Sequence, residues 1–324
     1  MTSPLLQVKN LSTHFVSRKG ALKAVDDVSF DVGAREIVGL VGESGSGKSI
    51  TGFSILGLLE PPGRVVSGSI HFKGEDLLAK SRKDMRKLRG RRIAMIFQDP
   101  MMTLNPVLSI GTQMMETVLA HEKASRAEAR ARSRDALGLV GIPSPEERLD
   151  AYPHQFSGGM RQRVAIAISL LHRPDLIIAD EPTTALDVTI QSQILFEIKR
   201  LAQSFGMSLI WISHDLGVVS ALADRVMVMY AGKIVEAGLV GDVLRAPRHP
   251  YTRGLLNAVP AAVPRGEPLR PIPGMAPPAL ARPSGCAFRD RCDSATDLCA
   301  TPPVRDHRAT REWLCFHPNI RSEP

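Results

Sequence analysis

Apolar residues occur in two kinds of short segment along this chain, and both kinds predict β-strands. Three segments alternate apolar with polar residues, which is typical of strands with one buried face: residues 6–8, 28–32 and 70–72. Four segments are continuous apolar runs, which indicate strands buried on both faces: residues 37–41, 93–97, 176–179 and 209–212. Residues 226–230 and 233–236 predict a final hairpin around Ala231 and Gly232.

Helical patterns lie between the buried strands. They cover residues 50–58 after the first apolar run, 164–171 before the third and 191–203 between the last two. From Thr112 to Leu149, Ala, Arg and Glu dominate and strand signals are lacking, which predicts a helical insertion. Buried strands that alternate with helices predict an α/β fold with a parallel sheet.

The turn after the apolar run at 37–41 is rich in glycine. It fits the phosphate-loop pattern G-x-x-x-x-G-K-[ST] and reads Gly42, Glu43, Ser44, Gly45, Ser46, Gly47, Lys48, Ser49. Its glycines let backbone N–H groups curl around an anion, and the following helix adds the positive end of its dipole. Lys48 suits the β- and γ-phosphates, and Ser49 suits Mg²⁺. A plain glycine-rich turn is the alternative, but Lys-Ser after a strand favours a nucleoside triphosphate site.

Two acidic residues end the apolar run at 176–179. Asp180 is placed to hold Mg²⁺, and Glu181 is placed to polarise the attacking water. A solvated turn would also carry two acids. A phosphate loop on the same chain favours the catalytic interpretation.

A second candidate anion site precedes the helix pattern at 164–171. It reads Ser157, Gly158, Gly159, Met160, Arg161, Gln162. Serine is a good N-cap, and the glycines expose N–H groups at a helix start, although a simple capped helix would look the same. The segment resembles the signature motif of ATP-binding cassette (ABC) ATPases. It lies just upstream of Asp180 and Glu181, where that family carries it.

The remaining ABC motifs follow in family order. Gln98 in Phe-Gln-Asp-Pro resembles the glutamine loop, Asp187 in Ala-Leu-Asp resembles the loop after the catalytic acid, and His214 in Ser-His-Asp resembles the switch-histidine loop. Phe15 stands where the family places an aromatic ring that stacks on adenine, although core burial would also explain a phenylalanine.

The resemblance implies an α/β fold with the P-loop NTPase (RecA-like) core of an ABC ATPase, an antiparallel β subdomain and a helical insertion. It implies that Gln98 and His214 assist Glu181 in hydrolysis. Mg²⁺ would be held through Ser49, Gln98 and Asp180. In this family, the signature residues and Asp187 face the ATP of an opposing subunit. A second ABC ATPase subunit is therefore an implied partner, a heterodimer being favoured over a homodimer.

Composition is that of an ordinary globular protein, with 44% hydrophobic and 23% charged residues among 324. No apolar run approaches the ~18 residues of a membrane span, and the N-terminus lacks the pattern of a secretory signal, so we expect a cytosolic protein. The net charge of +8 includes a basic run at residues 80–92. A solvated helix face explains this run better than nucleic-acid binding, because aromatic residues are not interleaved with it.

Proline-dense sequence begins near residue 259 and predicts an extended linker, because such a segment cannot form a regular helix or a central strand. We therefore predict an ABC nucleotide-binding domain at residues 1–258, with its helical insertion at about 100–160. A proline-rich linker at 259–285 and a C-terminal extension at 286–324 follow.

All four cysteines of the chain fall in this extension: Cys286, Cys292, Cys299 and Cys315. Disulfides are rare in a cytosolic protein, and the spacing matches neither ferredoxin runs nor zinc-ribbon pairs. Four thiolates suit either Zn²⁺ or a [4Fe–4S] cluster, and wide, unequal spacings favour the cluster. Four buried free thiols are the third alternative.

The extension makes the resemblance more specific. Its cysteines, His249-Pro-Tyr-Thr, Met160 and the segment from Asp99 to Pro106 resemble ATP-binding subunits of ABC importers for oligopeptides and dipeptides. This resemblance implies an ATPase at the cytosolic face of the cell membrane, working with two membrane permeases and an external peptide-binding protein. The sequence leaves open the import of nickel or another small solute. It also leaves open a nucleic-acid-linked ABC ATPase and a regulatory module that does not hydrolyse ATP.

Overall fold

The computed structural model describes residues 3–18, 20–184, 186–259 and 271–319. The chain forms two compact units. The first comprises Met1–Gly33, Ile37–Ala79 and Trp211–Pro324, and the second comprises Ala34–Glu36 and Lys80–Ile210. Ala185 and part of the proline-dense segment, which includes Pro260, Pro264 and Pro268, lie outside the described residues.

The strands, in chain order, are β1 (Leu6–Ser17), β2 (Gly20–Val32), β3 (Ile37–Val41), β4 (Gly63–Phe72), β5 (Glu75–Asp76), β6 (Ile93–Ile96), β7 (Leu176–Asp180), β8 (Ser208–Ser213), β9 (Arg225–Tyr230), β10 (Lys233–Leu239), β11 (Asp306–Arg308) and β12 (Arg311–Trp313). The helices are α1 (Lys48–Leu56), α2 (Arg82–Leu88), α3 (Ile110–Leu119), α4 (Arg126–Leu139), α5 (Pro145–Leu149), α6 (Gly158–Leu170), α7 (Val188–Phe205), α8 (Leu216–Leu222), α9 (Val240–Arg245) and α10 (Pro250–Asn257).

The first unit contains an antiparallel sheet in the order β2-β1-β4-β5. Alternate residues of its strands are buried, and in β2 these are Val28, Phe30 and Val32. The alternation predicted strands here, but β1 and β2 are longer than the apolar segments. Irregular pairing near Asn10, which has a positive φ of 48°, interrupts the alternation and hides the full length of β1 from pattern analysis.

A second group of strands in the first unit is ordered β11-β12-β10-β9-β3. β3 runs parallel to β9, whereas β9 and β10 form the predicted antiparallel hairpin. All five residues of β3 are buried, which agrees with its continuous apolar sequence. The C-terminal extension joins this group, because β12 pairs with β10 through Glu236 and Trp313.

The second unit contains β6 and β7, which pair in parallel, and the first residues of β8 beside β7. Its predicted helical insertion consists of α3, α4 and α5. On α3, Ile110, Met114 and Val118 are fully buried and recur every four residues, which defines one apolar face. That face packs against α4, and α4 packs against α6.

The basic run predicted as a solvated helix face includes α2. Ser81 caps this helix, and Met85 is its only buried residue. In the described parts of the chain, each helix is too short or too polar to cross a membrane.

Candidate nucleotide-binding site

The predicted phosphate loop joins β3 to α1 in a conformation that requires glycine. Gly42, Gly45 and Gly47 have φ values of 154°, 76° and 107°. A Cβ at Gly42 would lie 2.1 Å from the carbonyl oxygen of Met229, and one at Gly47 would lie 2.4 Å from that of Ala24. The backbone conformation therefore disfavours larger residues at all three positions, and close packing also excludes them at Gly42 and Gly47.

Side chains of the loop are arranged for an anion. The ammonium group of Lys48, the first residue of α1, donates hydrogen bonds to the carbonyl oxygens of Gly42 (2.8 Å) and Glu43 (3.0 Å). The buried hydroxyl of Ser46 has no hydrogen-bond partner among the described residues. Ser44 and Gly45 are exposed, and Ser49 is half-buried in the first turn of α1. A helix start with a cation beside it is a suitable phosphate site.

Two predicted catalytic residues come together in the second unit. Glu181 directly follows β7, and its φ of 44° is a strained backbone conformation for this residue. Its Oε2 accepts a hydrogen bond from the Thr184 hydroxyl (3.0 Å) and a longer one from the Gln98 amide (3.4 Å). Asp180, at the end of β7, is 4% exposed. The structure therefore fixes the Glu181 carboxylate beside Gln98.

The signature segment forms the start of α6 in the second unit. The Ser157 hydroxyl accepts a hydrogen bond from the Met160 N–H (3.3 Å), as a capping serine should. Gly158 is open, since a Cβ there would meet no atom within 4 Å. The Arg161 side chain donates to the carbonyl oxygen of Pro153 (2.9 Å), and the buried Gln162 amide nitrogen finds no partner among the described residues. The exposed helix start is thus open to an anion.

The loop around Asp187 lies next to this helix start. The Asp187 carboxylate accepts a hydrogen bond from the Ile190 N–H (2.9 Å) and so caps α7. A Cβ on Gly159 would lie 2.9 Å from a methyl group of Ile190, so a larger residue at 159 would press on the first turn of α7. Ala185, the first residue of the predicted motif, lies outside the described residues.

His214 and Phe15 belong to the first unit. His214 is exposed and directly follows β8, and the neighbouring Asp215 carboxylate caps α8 by accepting from the Gly217 N–H (2.7 Å). The Phe15 ring is half-buried beside Gly63, where a Cβ would lie 2.7 Å from it. Phe15 therefore keeps part of its ring at the surface of the antiparallel sheet.

Pattern analysis missed two residues that contact the phosphate loop. The Glu43 N–H donates to the Tyr251 hydroxyl (2.8 Å), and the Glu43 carboxylate pairs with Arg291. Tyr251 belongs to α10 within the His-Pro-Tyr-Thr segment, and burial raises the pKa of its hydroxyl, which therefore stays protonated. Arg291 belongs to the C-terminal extension, where the only predicted chemistry was that of the cysteines.

The four cysteines are free thiols that line one small cavity together with His249 and His317. Burial raises the pKa of three of these thiols, and that of Cys315 reaches about 12. Neighbouring thiols raise the pKa of Cys286 further. Across the described residues, however, no group of three or more His, Cys, Asp or Glu side chains has the geometry of a metal site.

A strand, phosphate loop and helix, with an acid pair at the end of a parallel strand, define a phosphate-loop ATPase. The model of the ABC transporter family matches residues 25–184, and that of the oligopeptide/dipeptide transporter C-terminal region matches residues 235–299. The chain belongs to the ABC transporter ATPases that carry this C-terminal region.

Individual proteins similar to this chain support the same family assignment. The chain is 48% identical to the dipeptide transport ATP-binding protein DppD of Escherichia coli, over 97% of both chains. It is 51% identical to DppD of Bacillus subtilis, over 91% of this chain and 88% of that protein. The dimeric post-hydrolysis structure of the ATP-binding cassette MJ0796 with ADP and Pi matches with a TM-score of 0.66 and 25% identity, over 72% of this chain and 98% of that one. CbiO1 from Clostridium perfringens matches with a TM-score of 0.65 and 29% identity, over 75% and 92%.

Proposed function

We propose that this chain hydrolyses ATP to power the import of dipeptides or oligopeptides across the cytoplasmic membrane. The observation that carries the proposal is the identity of 47–51% to dipeptide and oligopeptide transport ATP-binding proteins over most of the chain. The C-terminal region supports the same assignment, since its model is that of oligopeptide and dipeptide transporters.

In the proposed reaction, the phosphate loop binds the triphosphate, with Lys48 and the Ser46 hydroxyl as donors. Ser49, Gln98 and Asp180 provide the oxygen ligands that Mg²⁺ prefers. Glu181 accepts the proton of the attacking water, and His214 steadies the γ-phosphate. Phe15 stacks on the adenine ring.

We further propose that ATP is bound between two ABC subunits. The open start of α6 at Ser157–Gly158 would offer N–H donors to the γ-phosphate held by the opposing subunit, and Asp187 would lie at the same interface. The dimeric MJ0796 structure supports this arrangement. We favour a related ATPase over a second copy as the partner. Two permeases would hold the pair at the cytoplasmic face of the membrane, and an external binding protein would deliver the peptide.

For the organisation of the chain, we retain the three segments expected from its sequence. Residues 1–258 would form the nucleotide-binding domain, with the helical insertion at about 100–160 contacting the permeases. Residues 259–285 would act as a linker to the cysteine-containing extension at 286–324. The two compact units of the structure divide the chain at other points, after residues 33, 36, 79 and 210.

ATP hydrolysis by the assembled complex tests the peptide assignment. Peptide-loaded binding protein should stimulate hydrolysis, because the proposed import couples peptide delivery to ATP hydrolysis. DNA or RNA should not stimulate it at any salt concentration, since aromatic residues that could stack on bases are not interleaved with the basic run at residues 80–92. Stimulation by nucleic acid that declines with salt would support a nucleic-acid-linked ATPase instead. Stimulation by a nickel-loaded binding protein, but not by a peptide-loaded one, would show that the imported solute is nickel and not a peptide.

We also propose that the four cysteines hold one [4Fe–4S] cluster with a structural role. All four thiols line a single cavity, and none is used in a disulfide. Such a cluster would need the thiols as thiolates, so its binding would release protons from groups whose pKa burial has raised. A cross-link of this kind suits a segment with few buried apolar side chains.

Metal content tests this second proposal. Anaerobically purified protein should be brown, with about four irons and four sulfides per chain. Cys299→Ser should lose most of the iron, because it removes the most buried of the four thiols. Ser294→Ala, a change in the lining of the same cavity, should keep the iron. Colourless protein with one zinc would exclude the cluster but keep a four-thiol site, and metal-free protein would exclude both.

A further inference from the structure

Glu43 is the only acidic residue in the phosphate loop at residues 42–49. Its carboxylate is a negative charge within the phosphate loop, and its side chain is 30% exposed. An unpaired carboxylate here would repel a triphosphate, which is also strongly negative, and partial burial would reduce the screening of that repulsion. A cation that pairs with the Glu43 carboxylate would remove this repulsion.

Arg291 of the C-terminal extension provides this cation. Its two terminal nitrogens donate to the two oxygens of the Glu43 carboxylate, at 2.8 and 3.0 Å. The arginine side chain is only 7% exposed. Bidentate pairing of this kind holds a carboxylate in one orientation, and burial of the arginine strengthens the attraction.

The remaining donors of Arg291 are also satisfied, which fixes its position. Its Nε donates to the carbonyl oxygen of Pro273 (2.8 Å), and its terminal nitrogens reach the carbonyl oxygen of Gly274 and the Tyr230 hydroxyl, both at 3.3 Å. Hydrogen bonding to Glu43 raises the pKa of Arg291, which stays charged. These hydrogen bonds hold the guanidinium in one position against the Glu43 carboxylate.

An aromatic cluster connects the surroundings of Arg291 to the phosphate loop. Phe288 packs against Tyr230 and Tyr251, with ring centroids 5.3 and 5.4 Å apart, and Tyr230 contacts Tyr251 at 4.5 Å. The Tyr251 hydroxyl accepts from the Glu43 N–H. Both the backbone and the side chain of Glu43 are therefore held by residues more than 200 positions away in sequence, at separations of 208 and 248.

We propose that Arg291 is a positioning residue of the ATP site: it neutralises Glu43 and holds the carboxylate so that the triphosphate meets a loop without a free negative side chain. The cysteine-containing extension thereby contributes to nucleotide binding through Arg291. This inference rests on the proposed ATP binding by the phosphate loop.

Equilibrium binding of a fluorescent ATP analogue to the full chain tests the inference. Arg291→Met keeps much of the apolar stem but exposes the phosphates to an unpaired Glu43, so the affinity should fall by about tenfold or more. Arg305→Met is the matched control, because it removes another arginine–glutamate pair of the extension, with Glu312 at 2.9 Å. Its affinity should equal that of the wild type.

The Glu43→Gln/Arg291→Met double variant tests whether Arg291 acts by neutralising the charge of Glu43 or only by supporting the structure of the loop. It should recover most of the lost affinity, because the charge that Arg291 neutralises is gone. Glu43→Gln alone should bind ATP more tightly than wild type, since it leaves Arg291 as an unneutralised cation beside the loop. This variant also tests the idea if Arg291→Met fails to fold.

Three outcomes would overturn the inference. Wild-type affinity in folded Arg291→Met would show that Glu43 needs no neutralisation. A double variant that binds ATP as weakly as Arg291→Met would show that the arginine acts only as structural support. Weaker ATP binding by Glu43→Gln than by the wild type would show that the Glu43 charge does not repel the triphosphate. If the wild type itself binds no ATP, the proposed function fails first and the inference fails with it.

Discussion

Replacing Glu181 by glutamine should lower ATP turnover by about 10²-fold or more while leaving ATP bound. Glutamine has nearly the same shape and can still accept a hydrogen bond from Thr184, which holds the Glu181 carboxylate at 3.0 Å. It cannot accept the proton of the attacking water. ATP should therefore remain between the two subunits, and the ATP-bound dimer should persist.

Single-turnover hydrolysis and size-exclusion chromatography with ATP measure the two parts of this prediction. Glu197→Gln is the matched control: the same change on α7, where Glu197 pairs with Arg200. It should leave turnover unchanged. Hydrolysis by Glu181→Gln within a few-fold of wild type would show that another group accepts the proton.

The candidate nucleotide site could be predicted from the sequence because the residues that define it are neighbours in the chain. Gly42, Gly45 and Gly47 are required by the backbone of one short loop, and β3 before them is a continuous apolar run. Asp180 and Glu181 likewise end a buried strand. A pattern of a few consecutive residues therefore contains both the geometry and the reactive groups.

The contacts of the C-terminal extension could not be read in this way. β11 and β12 are three residues each, and β11 is exposed throughout, so neither shows an alternating pattern. The pairing of Arg291 with Glu43 spans 248 residues and depends on how the extension packs around Phe288. An arginine in a polar segment gives no local signal of such a partner.

The cysteine site could be predicted from the sequence only in part. Their clustering in sequence predicted a shared site, and the structure places all four around one cavity. Their spacing alone left the choice between zinc, an iron–sulfur cluster and free thiols open, because a ligand set depends on sulfur positions in space. Metal content is therefore needed to decide it.

Peptide accumulation in proteoliposomes tests the central claim most directly. The complete complex would contain this chain, its partner ATPase and both permeases, with ATP on the side of the ATPases. Peptide and binding protein would be supplied on the opposite side.

We expect labelled dipeptide to accumulate on the ATP side only when ATP is present. Accumulation should be lost in the complex that carries Glu181→Gln, because hydrolysis resets the dimer for each transport cycle, and kept in the complex that carries Glu197→Gln. Peptide accumulation that does not require ATP, or that continues at the wild-type rate with Glu181→Gln, would contradict the claim that this chain powers import.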